Sequence, residues 1–508
     1  MRWAVLFLLV GGCVGEQQVA QVQAVCGDGV CEPGEGTLVC PEDCPYAVCG
    51  NGMCEYDEDA QNCSGDCAGQ VCGDGRCEGN ETPYSCLYDC AWASCGNGVC
   101  EAMESEGQCL RDCVPMRCGN GVCEYEEDME NCPGDCPSTQ SVDVLLVVDD
   151  SESMETYQKA LAQALPNMYR ALQGTVGVEP NLHLGVVTTD LGMGSYTVVS
   201  GCRRVGGDGG RLGVVGGADH ASGCLAAGAH YMIDTAPVGC SVLYHSDRSC
   251  GANDCDQDNC SGEPGTVLVP DSVSGCPRCR NFTGGASEAF ACLSQVGIDG
   301  CGFEQPLEAA RKALDDNPYN QGFLRDDSIL VLLFVTDEDD CSAAQPDVLF
   351  NPDPSLDSAD STLGFLTSFR CFEFGVTCDQ DARAVGPHQG CVSAQPDLLF
   401  GIERYDSFLR SLRQPGRIVA AALTGPFADG EVDVELDGQQ RPAVAPTCRP
   451  DQSQLGAAPA VRIRALVAEF SAPHDLSSWA MTSVCDQDRY ASFMEKIGAE
   501  VIGKMEVW

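Results

Sequence analysis

Four cysteines recur in a unit of 23 residues near the start of this chain, and they constrain its fold more than any other feature. The unit occurs five times, with its first cysteine at Cys26, Cys49, Cys72, Cys95 and Cys118. Each unit, such as CGNGVCEYEEDMENCPGDC, has almost no apolar side chain to bury, so covalent cross-links must hold it together. The sequence therefore predicts an array of five small disulfide-rich repeats over residues 26–136.

The cysteine count indicates an oxidising compartment. Of the 37 cysteines, 20 lie in the repeats, 16 lie beyond residue 200, and Cys13 precedes the array. Setting Cys13 apart leaves an even number, as expected where every other thiol is paired. The four cysteines of a repeat allow three pairings, and their spacing does not choose among them.

The first thirteen residues, MRWAVLFLLVGGC, have the form of an export signal. The VGGC ending resembles the lipobox of bacterial lipoproteins, which implies a signal peptide over residues 1–12, lipidation of Cys13 and an anchor linker over residues 13–25. An ordinary cleaved signal with an incidental cysteine is the alternative. The apolar run is too short to span a bilayer, so a lipid anchor or free secretion are the membrane options. The expected location is the bacterial cell envelope, in the outer membrane or at the cell surface.

The charge of the chain favours cations as ligands over nucleic acid. Its formal net charge is -48, and residues 26–136 alone hold 24 acidic residues against three arginines. Such a surface repels a phosphate backbone, so we expect no nucleic-acid partner.

Every repeat carries acidic residues after its second cysteine, three residues further on, and before its last cysteine. These are Glu32, Glu35, Asp43, Glu55, Glu58, Asp66, Glu78, Glu81, Asp89, Glu101, Glu104, Asp112, Glu124, Glu127 and Asp135. Oxygen donors at fixed places in a cross-linked loop suit calcium, so each repeat is a candidate calcium site. A solvated acidic turn held by disulfides alone is the alternative. The array resembles Cys-rich repeats of exported bacterial surface proteins, which implies a stalk or spacer.

After a linker over residues 137–141, the pattern changes to apolar strands alternating with amphipathic helices. VDVLLVVD, LHLGVVTT, DSILVLLFVTDEDD and RIVAAALTG read as strands, and PLEAARKAL, YDSFLRSLR, PAVRIRALVAEF and DRYASFMEKIGAEV read as helices. Strands that are apolar on both faces belong to parallel sheets covered on both sides. The pattern predicts an α/β fold.

The first of these strands ends in a motif that resembles the D-x-S-x-S motif of von Willebrand factor A (vWA) domains, as Asp149, Ser151 and Ser153. Asp337, at the end of LLFVTDED, matches that family's second acid. The resemblance implies a doubly wound, Rossmann-like sheet over residues 142–503, with Cys-rich insertions at about 200–300 and 341–400. It also implies a Mg or Mn ion held by two hydroxyls and two carboxylates, with one position left for a partner's carboxylate. Capping of the next helix by the two serines is the alternative.

One position departs from the vWA pattern. The family's threonine opens a helix in a G-x-T turn, and CGFEQPLEAA places Glu304 there. A third carboxylate would tighten cation binding and weaken the pull of the ion on an acidic ligand, because more of its charge is already neutralised. Glu304 is therefore a candidate metal ligand as well.

Other motifs give weaker signals. CPRC at Cys276 and Cys279 could be a redox or zinc pair, but disulfides are expected in an exported chain. By proximity in sequence, and because these cysteines flank predicted helices, we predict two bonds, Cys292 with Cys301 and Cys448 with Cys485. None of the six histidines lies in a nucleophile or metalloprotease motif, so an enzyme is not expected.

These features predict a cell-surface lipoprotein with a disulfide-rich stalk and a vWA-like head that binds a divalent cation and an unknown protein or extracellular matrix component. One alternative is a structural envelope protein whose ion only stabilises the fold. A metal-dependent hydrolase is a third. An attacking Asp149 in a phosphate-transfer site would need a second Asp two residues on, and position 151 is Ser.

Overall fold

The computed structural model describes residues 141–174, 180–240, 242–244, 250–263, 265–271, 274–394, 397–427, 430–450, 456–471 and 476–506. The predictions for the signal peptide, Cys13, the anchor linker, the five repeats with their acidic positions, and the linker up to residue 140 lie outside the described residues. Within the described part, no helix is long and apolar enough to cross a membrane.

The strands and helices of the described part follow one another in the order that the sequence pattern predicts for its main elements. The strands are β1 Ser141–Val148, β2 Asn181–Thr188, β3 Val214–Val215, β4 Ala218–Asp219, β5 Met232–Thr235, β6 Val242–Tyr244, β7 Cys250–Asn253, β8 Val267–Pro270, β9 Pro277–Arg280, β10 Ile329–Val335, β11 Val376–Thr377, β12 Gly386–His388, β13 Val392–Ser393, β14 Ile418–Thr424, β15 Val432–Leu436, β16 Pro442–Val444 and β17 Met481–Ser483. The α-helices are α1 Glu155–Gly174, α2 Ala286–Leu293, α3 Pro306–Leu314, α4 Pro346–Leu349, α5 Phe369–Gly375, α6 Ile402–Leu412, α7 Val461–Glu469 and α8 Tyr490–Glu506.

A large central sheet organises these elements. Its eight strands run in the order β17-β14-β10-β1-β2-β5-β9-β8. The five strands from β17 to β2 are mutually parallel, and β5, β9 and β8 extend the sheet in antiparallel fashion. The prediction of an α/β fold with a largely parallel sheet is confirmed. The antiparallel extension was not predicted from the sequence.

Helices cover the sheet on both faces. Every residue of β1 is buried, and its side chains alternate between two apolar cores. Val144 and Leu146 pack in the core that includes residues of α1, α2 and α8. Leu145 and Val147 pack in the core that includes residues of α3, α6 and α7. Burial on both faces explains why β1 and β10 are apolar runs without alternating polar residues.

Seven disulfides cross-link described residues. They are Cys202–Cys301, Cys224–Cys292, Cys240–Cys255, Cys260–Cys279, Cys341–Cys371, Cys378–Cys391 and Cys448–Cys485. The predicted Cys448–Cys485 bond is present.

The predicted bond between Cys292 and Cys301 is wrong. Cys292 lies in α2 and is bonded to Cys224, whereas Cys301 is bonded to Cys202. The residue before Cys301, Gly300, donates a backbone hydrogen bond of 2.8 Å to the Asp150 carbonyl, which carries this segment to the carboxyl end of β1. The path of the chain, and not proximity in sequence, therefore selects the partners.

Candidate metal centre

The carboxyl ends of β1 and β10 lie side by side. The two strands are parallel neighbours in which Val148 is paired with Val335. The backbone N–H of Asp149 donates to the Val335 carbonyl at 2.9 Å and extends this ladder by one residue. The residues that follow the two strands, Asp149 and Asp337 among them, are thereby brought to the same edge of the sheet.

Hydrogen bonds join four of the predicted ligands into one cluster. The Asp149 carboxylate accepts from the Ser151 backbone N–H at 2.7 Å and from Thr336 Oγ1 at 2.6 Å. The Ser151 and Ser153 hydroxyl oxygens lie 3.1 Å apart, and Ser153 Oγ donates to Asp337 Oδ1 at 3.0 Å. The structure therefore places Asp149, Ser151, Ser153 and Asp337 together.

The serines are not used as helix caps in the described part of the chain. Ser151 precedes the 3₁₀ helix Glu152–Met154, but its side chain makes no capping hydrogen bond. Ser153 directs its hydroxyl to Asp337. Both hydroxyls therefore face the acidic cluster, which is the arrangement that a metal site needs and that capping alone does not explain.

Glu304 lies beside this cluster, in the segment that leads into α3. Its side chain is fully buried, and its Oε2 accepts a hydrogen bond from Thr189 Oγ1. Among the described residues, no group donates to Glu304 Oε1. Burial raises the pKa of Glu304 well above its usual range, and the carboxylates of Asp149 and Asp150 raise it further. Glu304 thus adds a buried acid without belonging to the Ser–Asp hydrogen-bond chain.

Burial and mutual repulsion raise the pKa values of the clustered carboxyl groups. The pKa of Asp149 is raised by burial. Burial, and then the charge of Asp149, raises the pKa of Asp337 to about 7. The pKa of Glu338 is raised by burial and by Asp337 and Asp149. The donor set consists of carboxylate and hydroxyl oxygens, with a buried acid nearby that has one oxygen without a hydrogen-bond donor among the described residues, and it fits a hard divalent cation.

The cluster opens into a cleft of about 920 Å³. Ser151, Ser153, Asp337 and Glu338 line it, whereas Asp149 and Glu304 lie behind them. Its lining also includes the segments joined by the Cys202–Cys301 bond and residues next to the Cys341–Cys371 bond. A group held by the cluster would therefore lie near segments that disulfides cross-link.

Thr336 and Glu338 belong to the site but were not predicted from the sequence. Both flank Asp337 in the run TDED after β10. Both could have been predicted from the polar run that directly follows the buried strand β10. Every side chain in such a run lies near the edge of the sheet where ligands bind. Thr336 positions Asp149, and Glu338 adds negative charge.

Two cysteine-containing segments outside this site have structural roles. In CPRC, Cys279 is bonded to Cys260, which excludes it from a redox or zinc pair with Cys276 in this state. In the acidic loop CGANDCDQDNC, Cys255 is bonded to Cys240, and Asp256 caps the 3₁₀ helix Gln257–Cys260 by accepting from the Asp258 N–H at 2.9 Å.

No protein-family model matches the chain, and no curated protein matches it. Among solved structures, the pilus adhesin RrgA from Streptococcus pneumoniae is similar with a TM-score of 0.25 and 10% sequence identity, over 71% of this chain and 44% of the adhesin. The match therefore spans less than half of the adhesin. A likeness this slight carries neither the fold nor the function of the adhesin over to this chain.

Proposed function

We propose that the part of the chain from residue 142 on is a vWA-like head that binds Mg or Mn through Asp149, Ser151, Ser153 and Asp337. The head would use the ion to hold an acidic group of a protein or extracellular matrix partner. The observation that carries this proposal is the hydrogen-bonded chain from Ser151 through Ser153 to Asp337, which opens into the cleft. This set matches the D-x-S-x-S residues and the second acid of the vWA pattern.

The support for this proposal is that the ligands are held in place by contacts other than the ion. Thr336 Oγ1 and the Ser151 N–H each fix one oxygen of Asp149. Ser153 Oγ holds Asp337. Side chains that are already oriented lose little conformational entropy when they bind the ion, so the affinity for the ion is higher.

The cleft supports the partner half of the proposal. A bound ion would supply positive charge and a coordination position for a carboxylate at the floor of the cleft. Arg203 and Arg441 also line the cleft, but each is paired with an acid of the same lining, Asp299 at 3.7 Å and Asp437 at 2.7 Å. The attraction for an acidic side chain of a partner would therefore come mainly from the ion.

The rest of the proposed function rests on the sequence. Cys13 would carry the lipid anchor in the bacterial envelope, and the repeats over residues 26–136, with calcium as their candidate ion, would act as a stalk. The chain is proposed to bind and not to catalyse, because its histidines lie in none of the common catalytic motifs.

One observation favours a second candidate, a structural envelope protein. Glu304 is fully buried beside Asp149, and no described residue donates a hydrogen bond to one of its oxygens. A Glu304 that completes the coordination would leave no position for a partner. The ion would then only stabilise the head.

Binding of Mn to the full chain tests the proposal and separates it from this alternative. After chelation, we expect calorimetric titration of the wild type to detect one more Mn ion than titration of Asp337→Asn. That additional ion should relax water protons strongly, since its open coordination position holds exchanging water. An aspartate-containing peptide should reduce this relaxation, because its carboxylate would replace the water. Asp299→Asn is the matched control, because Asp299 lines the same cleft outside the ligand set.

Equal Mn stoichiometry in the wild type and Asp337→Asn would refute the metal site. An additional ion that leaves water relaxation unchanged would instead support the structural candidate.

A further inference from the structure

Three buried aspartates converge on the other side of β1 from the site described above. One carboxylate oxygen from each of Asp150, Asp190 and Asp208 lies within 4.8 Å of the other two. Asp150 follows β1 and Asp190 follows the neighbouring parallel strand β2, in which Thr188 pairs with Val148. The Asp149 carboxylate is held by Ser151 and Thr336, whereas that of the next residue, Asp150, lies with Asp190 and Asp208.

A glycine-rich loop delivers the third carboxylate. Asp208 lies in the run GGDGG, and its backbone N–H donates to the Asp190 carbonyl at 2.9 Å. Gly207 has a φ of 53°, and a Cβ there would lie 2.3 Å from the Asp190 carbonyl oxygen. Only glycine lets the loop approach Asp190 this closely. The backbone is therefore shaped to bring these acids together.

The charge of this triad is only partly balanced. Within the described residues, the ion-pair partner of the triad is Arg204, which lies 2.8 Å from Asp208 and 3.4 Å from Asp190. One guanidinium opposes three carboxylates in a buried place, where uncompensated charge is costly. Its side chain is 33% exposed, so it can move aside without unfolding the core.

The Asp150 side chain gives independent evidence that the triad binds a ligand. The residue is 1% exposed, and none of the described residues donates a hydrogen bond to its Oδ1. Gly300 packs against this oxygen so closely that a Cβ on it would lie 2.2 Å away. A buried carboxylate oxygen with no donor is rare in a folded protein unless an ion or water occupies its free side.

We infer that Asp150, Asp190 and Asp208 form a second cation site, which takes a hard divalent cation, in the first place calcium. Three protein carboxylates suit calcium, which takes several carboxylate oxygens, better than magnesium, which usually keeps several waters and binds one or two carboxylates. Asp208 already accepts from Thr188, Arg204 and two backbone N–H groups, so the ion gains an oxygen of Asp208 by displacing Arg204. The inference uses none of the four ligands of the proposed function and does not depend on it.

The test compares wild type and Asp150→Asn as full chains, after chelation, by calorimetric titration with calcium and by thermal unfolding. Wild type should bind one more calcium ion than Asp150→Asn. Without calcium, the variant should melt at a higher temperature, because it lacks a buried unpaired charge. With calcium, the wild type should gain more in melting temperature than the variant. Asp299→Asn, an exposed acid, should behave as wild type.

Equal stoichiometry and an equal gain in melting temperature would overturn the inference and leave the triad as a structural hydrogen-bond cluster. The same pair of measurements in an Asp337→Asn background separates the two sites. If the Asp337→Asn protein still binds one more calcium ion than the Asp337→Asn/Asp150→Asn protein, that ion belongs to the triad. This conclusion holds even if the proposed function is wrong. If Asp150→Asn does not fold, the Arg204→Gln variant is used instead, and its melting temperature is measured with and without calcium. Calcium should raise its melting temperature more than that of wild type, and an equal rise would overturn the inference.

Discussion

At the scale of single residues, Glu304 shows how one side chain can set the character of a metal centre. A threonine there would offer one neutral oxygen, whereas Glu304 brings a carboxyl group whose pKa is raised by burial and by Asp149. Thr189 holds one of its oxygens by a hydrogen bond. The other is directed at no described donor and is available to an ion.

Replacing Glu304 by threonine tests this role. The Glu304→Thr variant should bind Mn about tenfold more weakly, a loss of about 1.4 kcal/mol, because one carboxylate is removed from the surroundings of the ion. Each bound Mn should relax water protons more strongly, since a coordination position becomes free. Titration calorimetry and proton relaxation measure the two effects. Glu304→Gln, which keeps the size and removes the charge, is the control. Unchanged affinity in both variants would show that Glu304 is not a ligand.

At the scale of elements, two kinds of connection build the site. Parallel pairing of β10, β1 and β2 sets the ends of three strands side by side and so collects the acids. Segments next to the Cys202–Cys301 and Cys341–Cys371 bonds then contribute to the lining of the cleft. The Cys202–Cys301 bond joins cysteines 99 residues apart, and both of its flanking segments reach the cleft.

Removing that bond should loosen one wall of the cleft and lower stability. A cross-link that closes a loop of this length stabilises by about 4–5 kcal/mol in the chain-entropy model, and one that closes a short loop by about 3 kcal/mol. We therefore expect Cys202→Ala/Cys301→Ala to lower the melting temperature more than Cys378→Ala/Cys391→Ala, whose cysteines are 13 residues apart. Thermal unfolding of both double variants checks this order. A reversed order would mean that the wall is held mainly by packing.

At the scale of the whole molecule, buried acidity sets the conditions under which the head is stable. Burial raises the pKa of Asp337 to about 7 and that of Asp190 to about 6, from 3.8. In the folded chain these groups keep protons that the unfolded chain has already lost near pH 5. Folding is therefore coupled to proton uptake, or to cation binding in its place.

The chelated protein should consequently lose stability as the pH rises. Each raised pKa contributes stability that is present below about pH 4 and is lost as the pH passes the folded pKa values of about 6 and 7. Between pH 5 and pH 8 the melting temperature should fall by roughly 5 °C, and saturating divalent cation should reduce this fall. Asp337→Asn, measured alongside, should show a smaller dependence. A melting temperature that does not fall across this range would contradict the prediction.

Much of the head could be predicted from the sequence because its main signals are local. Runs such as VDVLLVV and ILVLLFV predict buried parallel strands, and the polar residues directly after them must lie at one edge of the sheet. Asp149, Ser151, Ser153 and Asp337 lie at two such places and were predicted as ligands from their resemblance to the vWA motif. The bond between Cys448 and Cys485 was also predicted, from cysteines that flank helices.

Contacts between segments distant in the chain were decided only by the tertiary structure. Asp208 meets Asp150 and Asp190 because a glycine-rich loop folds back onto the end of β2, and no spacing in the sequence encodes that return. Cys301 is bonded to Cys202 and not to the nearer Cys292 for the same reason. Local patterns determine which elements form and which residues end them, whereas the paths of long loops depend on packing that involves the whole chain.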